Sequence, residues 1–166
     1  RPADDSLNSD LTANVERYLG EESNAEYISM DPALSRFPAD FNIDKLFVRY
    51  VDVARGKMDE VKEILKKITR VYTEKIPGET YGIYFNEIPS TSAGRDITIV
   101  SFFDKYAWMG QDDGFNAKYD EIFGKGSVET MWDQWQAITL AQECEIWEYQ
   151  EELSGLPPLV KAAERK

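Results

Sequence analysis

Four runs rich in β-branched and aromatic residues are laid out in an order that few architectures accept. Leu46 to Ala54 (LFVRYVDVA), Thr80 to Ile88 (TYGIYFNEI), Asp96 to Phe103 (DITIVSFF) and Glu143 to Tyr149 (ECEIWEY) have the composition of strands. Between the first two, Met58, Val61, Leu65, Ile68 and Tyr72 recur at helical spacing, with Ile64 and Val71 beside them. This stripe predicts a helix from Met58 to Glu74, opened after Gly56 and stopped by Pro77-Gly78. The polar segment Pro89 to Arg95 separates the second and third runs. After the third run an aromatic-bearing connection, Asp104 to Gly114, leads into a short helix from Phe115 to Phe123. Gly124-Lys125-Gly126 breaks that helix, and Val128, Met131, Trp132, Trp135 and Ile138 mark a longer one.

The order is strand, helix, strand, then strand, helix, strand. Each half needs a right-handed crossover. Two such halves joined through a hairpin give an α+β chain with the ferredoxin-like βαββαβ layout: a four-stranded antiparallel sheet with its helices on one face. The other face is then bare. Tyr, Ile, Trp and Phe alternate onto both sides of these strands, so neither face is patterned for water, and a homodimer is expected to cover the second one. The domain is expected to run from 43 to 153. Residues 1–42 read as an extension, with a short helix on the Leu11, Val15, Tyr18, Leu19 stripe and a loop-like stretch from Glu21 to Asp40. Residues 154–166 read as a charged tail.

Composition excludes several functions. Nineteen basic residues against 31 acidic ones leave a net charge of −12, which repels phosphate backbones and anionic membrane surfaces. Nucleic acid and membrane are therefore not expected partners, and no run of about twenty apolar residues spans a bilayer. The chain has no histidine, which removes Ser-His-Asp and Cys-His catalysis, His-bearing zinc sites and imidazole-held haem. No metal and no cofactor are expected. Cys144, the single cysteine, cannot form an intrachain disulfide, and its apolar-rich strand predicts a buried thiol. A start at Arg1-Pro2-Ala3-Asp4 fits removal of an export signal, and a trimmed start would read the same; export, periplasmic or secreted, is set slightly ahead of a cytoplasmic place.

The first strand runs into Arg55-Gly56-Lys57-Met58-Asp59-Glu60-Val61. A strand ending in a Gly-Lys turn before an acidic helix start resembles the antibiotic-biosynthesis-monooxygenase-like branch of the dimeric α+β barrel superfamily, and the element order from Leu46 to Tyr149 agrees. The resemblance implies a twofold barrel with a ligand pocket between helices and sheet in each protomer. That branch includes cofactor-free oxygenases, haem-degrading enzymes and proteins without assigned activity. Haem-degrading members carry an Asn on strand one, a Trp after strand three and a His on the next helix. Those positions fall on Arg49, Trp108 and Tyr119 here. Two of the three depart, so haem degradation is not implied.

The pocket candidates are Arg49, Tyr84, Trp108 and Tyr119. Arg49 shares a strand face with Phe47, Val51 and Val53, where a charge must find a partner or a ligand. Its guanidinium fork suits an anionic or carbonyl group. Trp108, with Tyr106, lies on a connection that can lid a sheet, and Tyr84 can present a hydroxyl. Trp132 and Trp135 read as core. Asp112-Asp113-Gly114 lacks the spacing of a calcium loop and reads as an acidic helix start. Glu145, Glu148, Glu151 and Glu152 read as solvent-facing charges that blunt edge pairing. The expected function is a small-molecule binding or interaction protein that takes a small aromatic or apolar ligand. The alternatives are a cofactor-free monooxygenase or isomerase on an aromatic or polyketide-like substrate, with Arg49 polarising an oxygen, and a structural subunit of a larger assembly.

Overall fold

The computed structural model of the protein describes residues 26–38, 40–88, 94–154 and 159–161. The helix expected within residues 10–19 lies outside them. In chain order the elements are β1 (Ile28–Met30), β2 (Asp40–Asn42), β3 (Lys45–Val53), α1 (Met58–Lys75), β4 (Tyr81–Asn86) and β5 (Ile97–Phe103). A 3-10 turn (Tyr106–Gly110) then leads to α2 (Phe115–Phe123), α3 (Ser127–Ile138), β6 (Thr139–Glu148), the single turn α4 (Glu151–Ser154) and β7 (Leu159–Lys161). The main sheet has the order β1-β4-β5-β3-β6, and every pairing is antiparallel. Its last four strands follow the ferredoxin-like order.

The sheet has five strands where the sequence predicts four. The extra one, β1, comes from the stretch read as a loop and pairs Ile28, Ser29 and Met30 with Asn86, Phe85 and Tyr84. Three residues are too few to show an alternation, so no periodicity marks this strand. The chain then turns at Asp31, whose carboxylate accepts the Ala33 and Leu34 amides at 2.8 and 3.2 Å. Leu34 drops into the core, and the Thr69 hydroxyl of α1 donates to its carbonyl at 3.1 Å. Arg36 and Tyr81 exchange both backbone hydrogen bonds. In the same way β7, in the segment read as a tail, pairs with β2 in a separate two-stranded sheet.

Side chains on a strand alternate between faces, so the odd residues of β3 share one direction. That direction is the helix side. Val51 of β3, Ile97 of β5 and Ile83 of β4 meet Val61 and Leu65 of α1 and Met131 and Trp135 of α3 in one core. Helix α1 begins at Met58, as the stripe predicts, and Asp59 and Glu60 in its first turn and Lys75 in its last complement the helix dipole. The start of α3 is held by Asp120 of α2. That carboxylate accepts the Gly126 and Val128 amides at 2.8 and 3.0 Å, and these donors hold it below the usual carboxylate range.

The second face of the sheet is not bare. Val48, Tyr50 and Thr98 are all buried in the single chain. Phe37 and Phe41, from the segment read as an extension, pack edge-on against Phe102 with ring centroids 5.7 and 5.0 Å away. The Arg95 guanidinium lies 3.9 Å from the centroid of the Tyr50 ring and pairs with Glu143 at 2.9 Å. Cys144 also differs from expectation, since it is exposed. Its strand, β6, is the sheet edge and is solvent-accessible on both faces along nearly its whole length, so apolar-rich composition there does not mean burial.

These contacts make the segment from Ile28 to Leu34 part of the domain. Leu34→Ala should therefore cost about 2–5 kcal/mol in urea unfolding, the range for truncating a buried leucine. A change within about 0.5 kcal/mol, typical of surface positions, would return the segment to a dispensable extension.

Candidate functional site

Antiparallel register sets side chains from neighbouring strands in rows across the sheet. One helix-facing row is Val51–Ile97–Phe85, and the helices close directly over its Val51 and Ile97. The next two rows along are Arg49–Ile99–Ile83 and Phe47–Ser101–Tyr81. Over these the helix layer stands away from the sheet and leaves a cavity of about 410 Å³. That volume falls within the range of about 300–1,000 Å³ typical of small-molecule sites.

The walls follow from helical spacing. Leu65, Ile68 and Tyr72 come from one stripe of α1, and Trp132 and Trp135 from one side of α3. Buried Leu65, Ile83 and Trp135 form the inner end, while exposed Met109, Asp112 and Asn116 mark the mouth. The connection after β5 acts as a lid. Trp108 stacks on Phe103 with centroids 5.1 Å apart and planes 15° from parallel. Its indole N–H donates to Glu79 at 3.2 Å, which ties the lid to the turn before β4. Asp112 and Asp113 accept the Gly114 and Phe115 amides at 2.8 and 2.9 Å and so shape the entry into α2. Gly114 at φ 71° makes that entry possible, because a side chain there would be strained.

The electrostatics are uneven. Arg49 lines the cavity from the sheet side, and among the described residues no carboxylate comes within ion-pairing distance of it. Its guanidinium lies 5.5 Å from the centroid of the Phe47 ring. Glu79, Asp112 and Asp113 line the same cavity, and none of them has a cationic partner among the described residues. Tyr72 responds to this charge. Burial raises its phenol pKa well above the ordinary value, and the Asp113 and Glu79 carboxylates beside it push in the same direction.

Of the four sequence candidates, the fold brings Arg49 and Trp108 to one cavity. Tyr84 pairs with Thr98 and Met30 and faces the opposite side of the sheet. There it covers Gly82, where a Cβ would stand 2.7 Å from the Tyr84 ring. Tyr119 is packed in the core between Phe115 and Phe123, with centroids 5.8 and 4.6 Å away. Trp132 and Trp135, read as core, also line the cavity. Glu79 carries no signal in the sequence, Tyr72 reads there only as part of the α1 stripe, and Asp113 only as part of an acidic helix start. Glu79 follows a Pro-Gly turn and Asp113 precedes a helix, both places where an acidic residue is unremarkable in sequence.

No protein-family model and no curated protein matches the chain. Among solved structures, it is similar to a dimeric protein of unknown function with a ferredoxin-like fold from Bacteroides fragilis. The two are 10% identical, the match covers 69% of this chain and 100% of that one, and the TM-score is 0.37. The ferredoxin-like order of β4, β5, β3 and β6 is a property of this chain's own strand pairings.

The Tyr72 environment has a measurable consequence. A phenol whose pKa is raised by folding stabilises the native state below its ordinary value near 10, and this contribution is lost as pH rises through the folded value. Unfolding free energy should therefore fall as pH climbs above 10, and Tyr72→Phe should flatten the fall. An equally steep fall in the variant would show that Tyr72 is not held neutral by its surroundings.

Proposed function

We propose that this is a small-molecule binding protein whose ligand has an aromatic or apolar body and an anionic or carbonyl group directed at Arg49. The observation that carries the reading is an arginine on a cavity wall with no carboxylate partner among the described residues. In a chain with 31 acidic residues against 19 basic ones, a carboxylate for Arg49 would be easy to supply. A guanidinium without one keeps its donors available for a ligand. The apolar walls supply burial, and the Arg49 cation fixes orientation.

A second copy of the chain belongs to the same reading. With the middle of the second sheet face covered within the chain, the large apolar side chains available to a partner include Leu140, Ile146 and Trp147 on the edge strand β6. A sedimentation mass of twice the chain is the signature of that assembly.

The binding claim is tested with 1-anilinonaphthalene-8-sulfonate, a fluorescent aromatic anion. One dye should bind per chain, and Arg49→Ala should weaken it by about 1.5–3 kcal/mol, the range for a hydrogen bond to a charged group. Unchanged affinity in the variant would place the dye elsewhere and remove Arg49 from the binding site.

A further inference from the structure

The cavity holds charge of both signs without internal neutralisation. Arg49 stands on the sheet side, while Glu79 sits in the turn before β4 and Asp112 and Asp113 on the lid connection. None of the three carboxylates lies within ion-pairing distance of Arg49. The Lys118 ammonium near the lid donates to the Asp113 backbone carbonyl at 2.6 Å. Each acid is already fixed by a donor: Glu79 by the Trp108 indole, Asp112 by the Gly114 amide and Asp113 by the Phe115 amide. A carboxylate can accept about four hydrogen bonds, so each keeps capacity for more. Tyr72, Trp108, Phe115 and Trp132 line the same cavity, and their ring faces attract a cation as well as apolar surface.

Building on the Arg49 reading, we infer that the ligand is amphoteric. Its aromatic body carries a carboxylate or carbonyl group for Arg49 and, at the other end, an ammonium group for Glu79, Asp112 and Asp113. A purely anionic ligand would meet the attraction of one guanidinium and the repulsion of three carboxylates. A ligand with both charges meets attraction at both ends. Shape and charge thus select the class of aromatic amino acids and related amino-carbonyl compounds.

Three matched probes test this by titration calorimetry: L-tryptophan, 3-indolepropionate, which lacks the ammonium, and tryptamine, which lacks the carboxylate. L-tryptophan should bind at least tenfold more tightly than either half-ligand. Its advantage over 3-indolepropionate should vanish in a Glu79→Gln, Asp113→Asn double variant, and its advantage over tryptamine in Arg49→Gln. The amide variants keep an acceptor for the Trp108 indole and the Phe115 amide, and the comparison of two ligands on one variant cancels any general loss of folded protein. Equal binding of 3-indolepropionate and L-tryptophan would overturn the acidic wall and leave the Arg49 reading intact. Failure of all three indoles while the sulfonate dye still binds through Arg49 would overturn this inference alone. Failure of the dye as well would overturn both.

Discussion

The position of the cavity depends on the pairing of β3, which is hydrogen-bonded to β5 on one side and β6 on the other. A strand held on both edges cannot slip, and a slip of one residue would send every side chain to the other face. Arg49 faces the helices because Phe47, Val51 and Val53 do, and Val51 is fixed there by its fully buried place in the core. The same register sets Ile99 and Ile83 beside Arg49, and Ser101 beside Phe47. A small serine in the row below the lid adds little bulk to the floor. Helix α1 packs tightly near Val61 and Leu65, and the lid connection, held by Trp108, spans the remaining space.

Charge distribution gives the cavity its chemical character. Several basic side chains among the described residues pair with an acid: Lys45 with Glu148, Lys75 with Glu121, and Arg95 with Glu143 and Glu145. These contacts are partly or largely exposed and contribute little to stability one by one. Arg49 is different in kind, because its surroundings are Phe47, Ile99 and the aromatic walls. On the proposed reading, its charge is kept there for a ligand at some cost in desolvation. Arg95 shows the opposite use of the same residue type, spread over Tyr50 and surrounded by Glu26, Glu143 and Glu145, where it seals the second sheet face.

Much of this was legible in the sequence, for identifiable reasons. Long periodic segments carry their own signal, so α1 begins where its stripe begins and α2 spans the residues expected of it. The parity of β3 alone places Arg49 with Phe47, Val51 and Val53. Short strands carry no such signal, which is why β1, β2 and β7 were read as loop, extension and tail. Register between strands is also absent from a single sequence. Tyr84 could be assigned to the cavity only without knowing that Ile83 pairs with Ile99 and that Tyr84 must then point away. Tyr119 was placed by spacing along a family pattern, and on α2 that spacing leads into the core between Phe115 and Phe123. Edge position decided Cys144, since composition does not tell an edge strand from a central one. Glu79 and Asp113 are two among many carboxylates, and only the fold brings them to the cavity that Arg49 lines.

The central claim is that Arg49 is held without a protein partner so that a ligand can use it. Urea unfolding of Arg49→Ala against the native chain measures this directly, without knowledge of the ligand. If no carboxylate depends on Arg49, the substitution should change stability by no more than about 1 kcal/mol, the ordinary scale of a single substitution. A loss of about 3–5 kcal/mol, the cost of leaving a buried charge without its partner, would contradict the account.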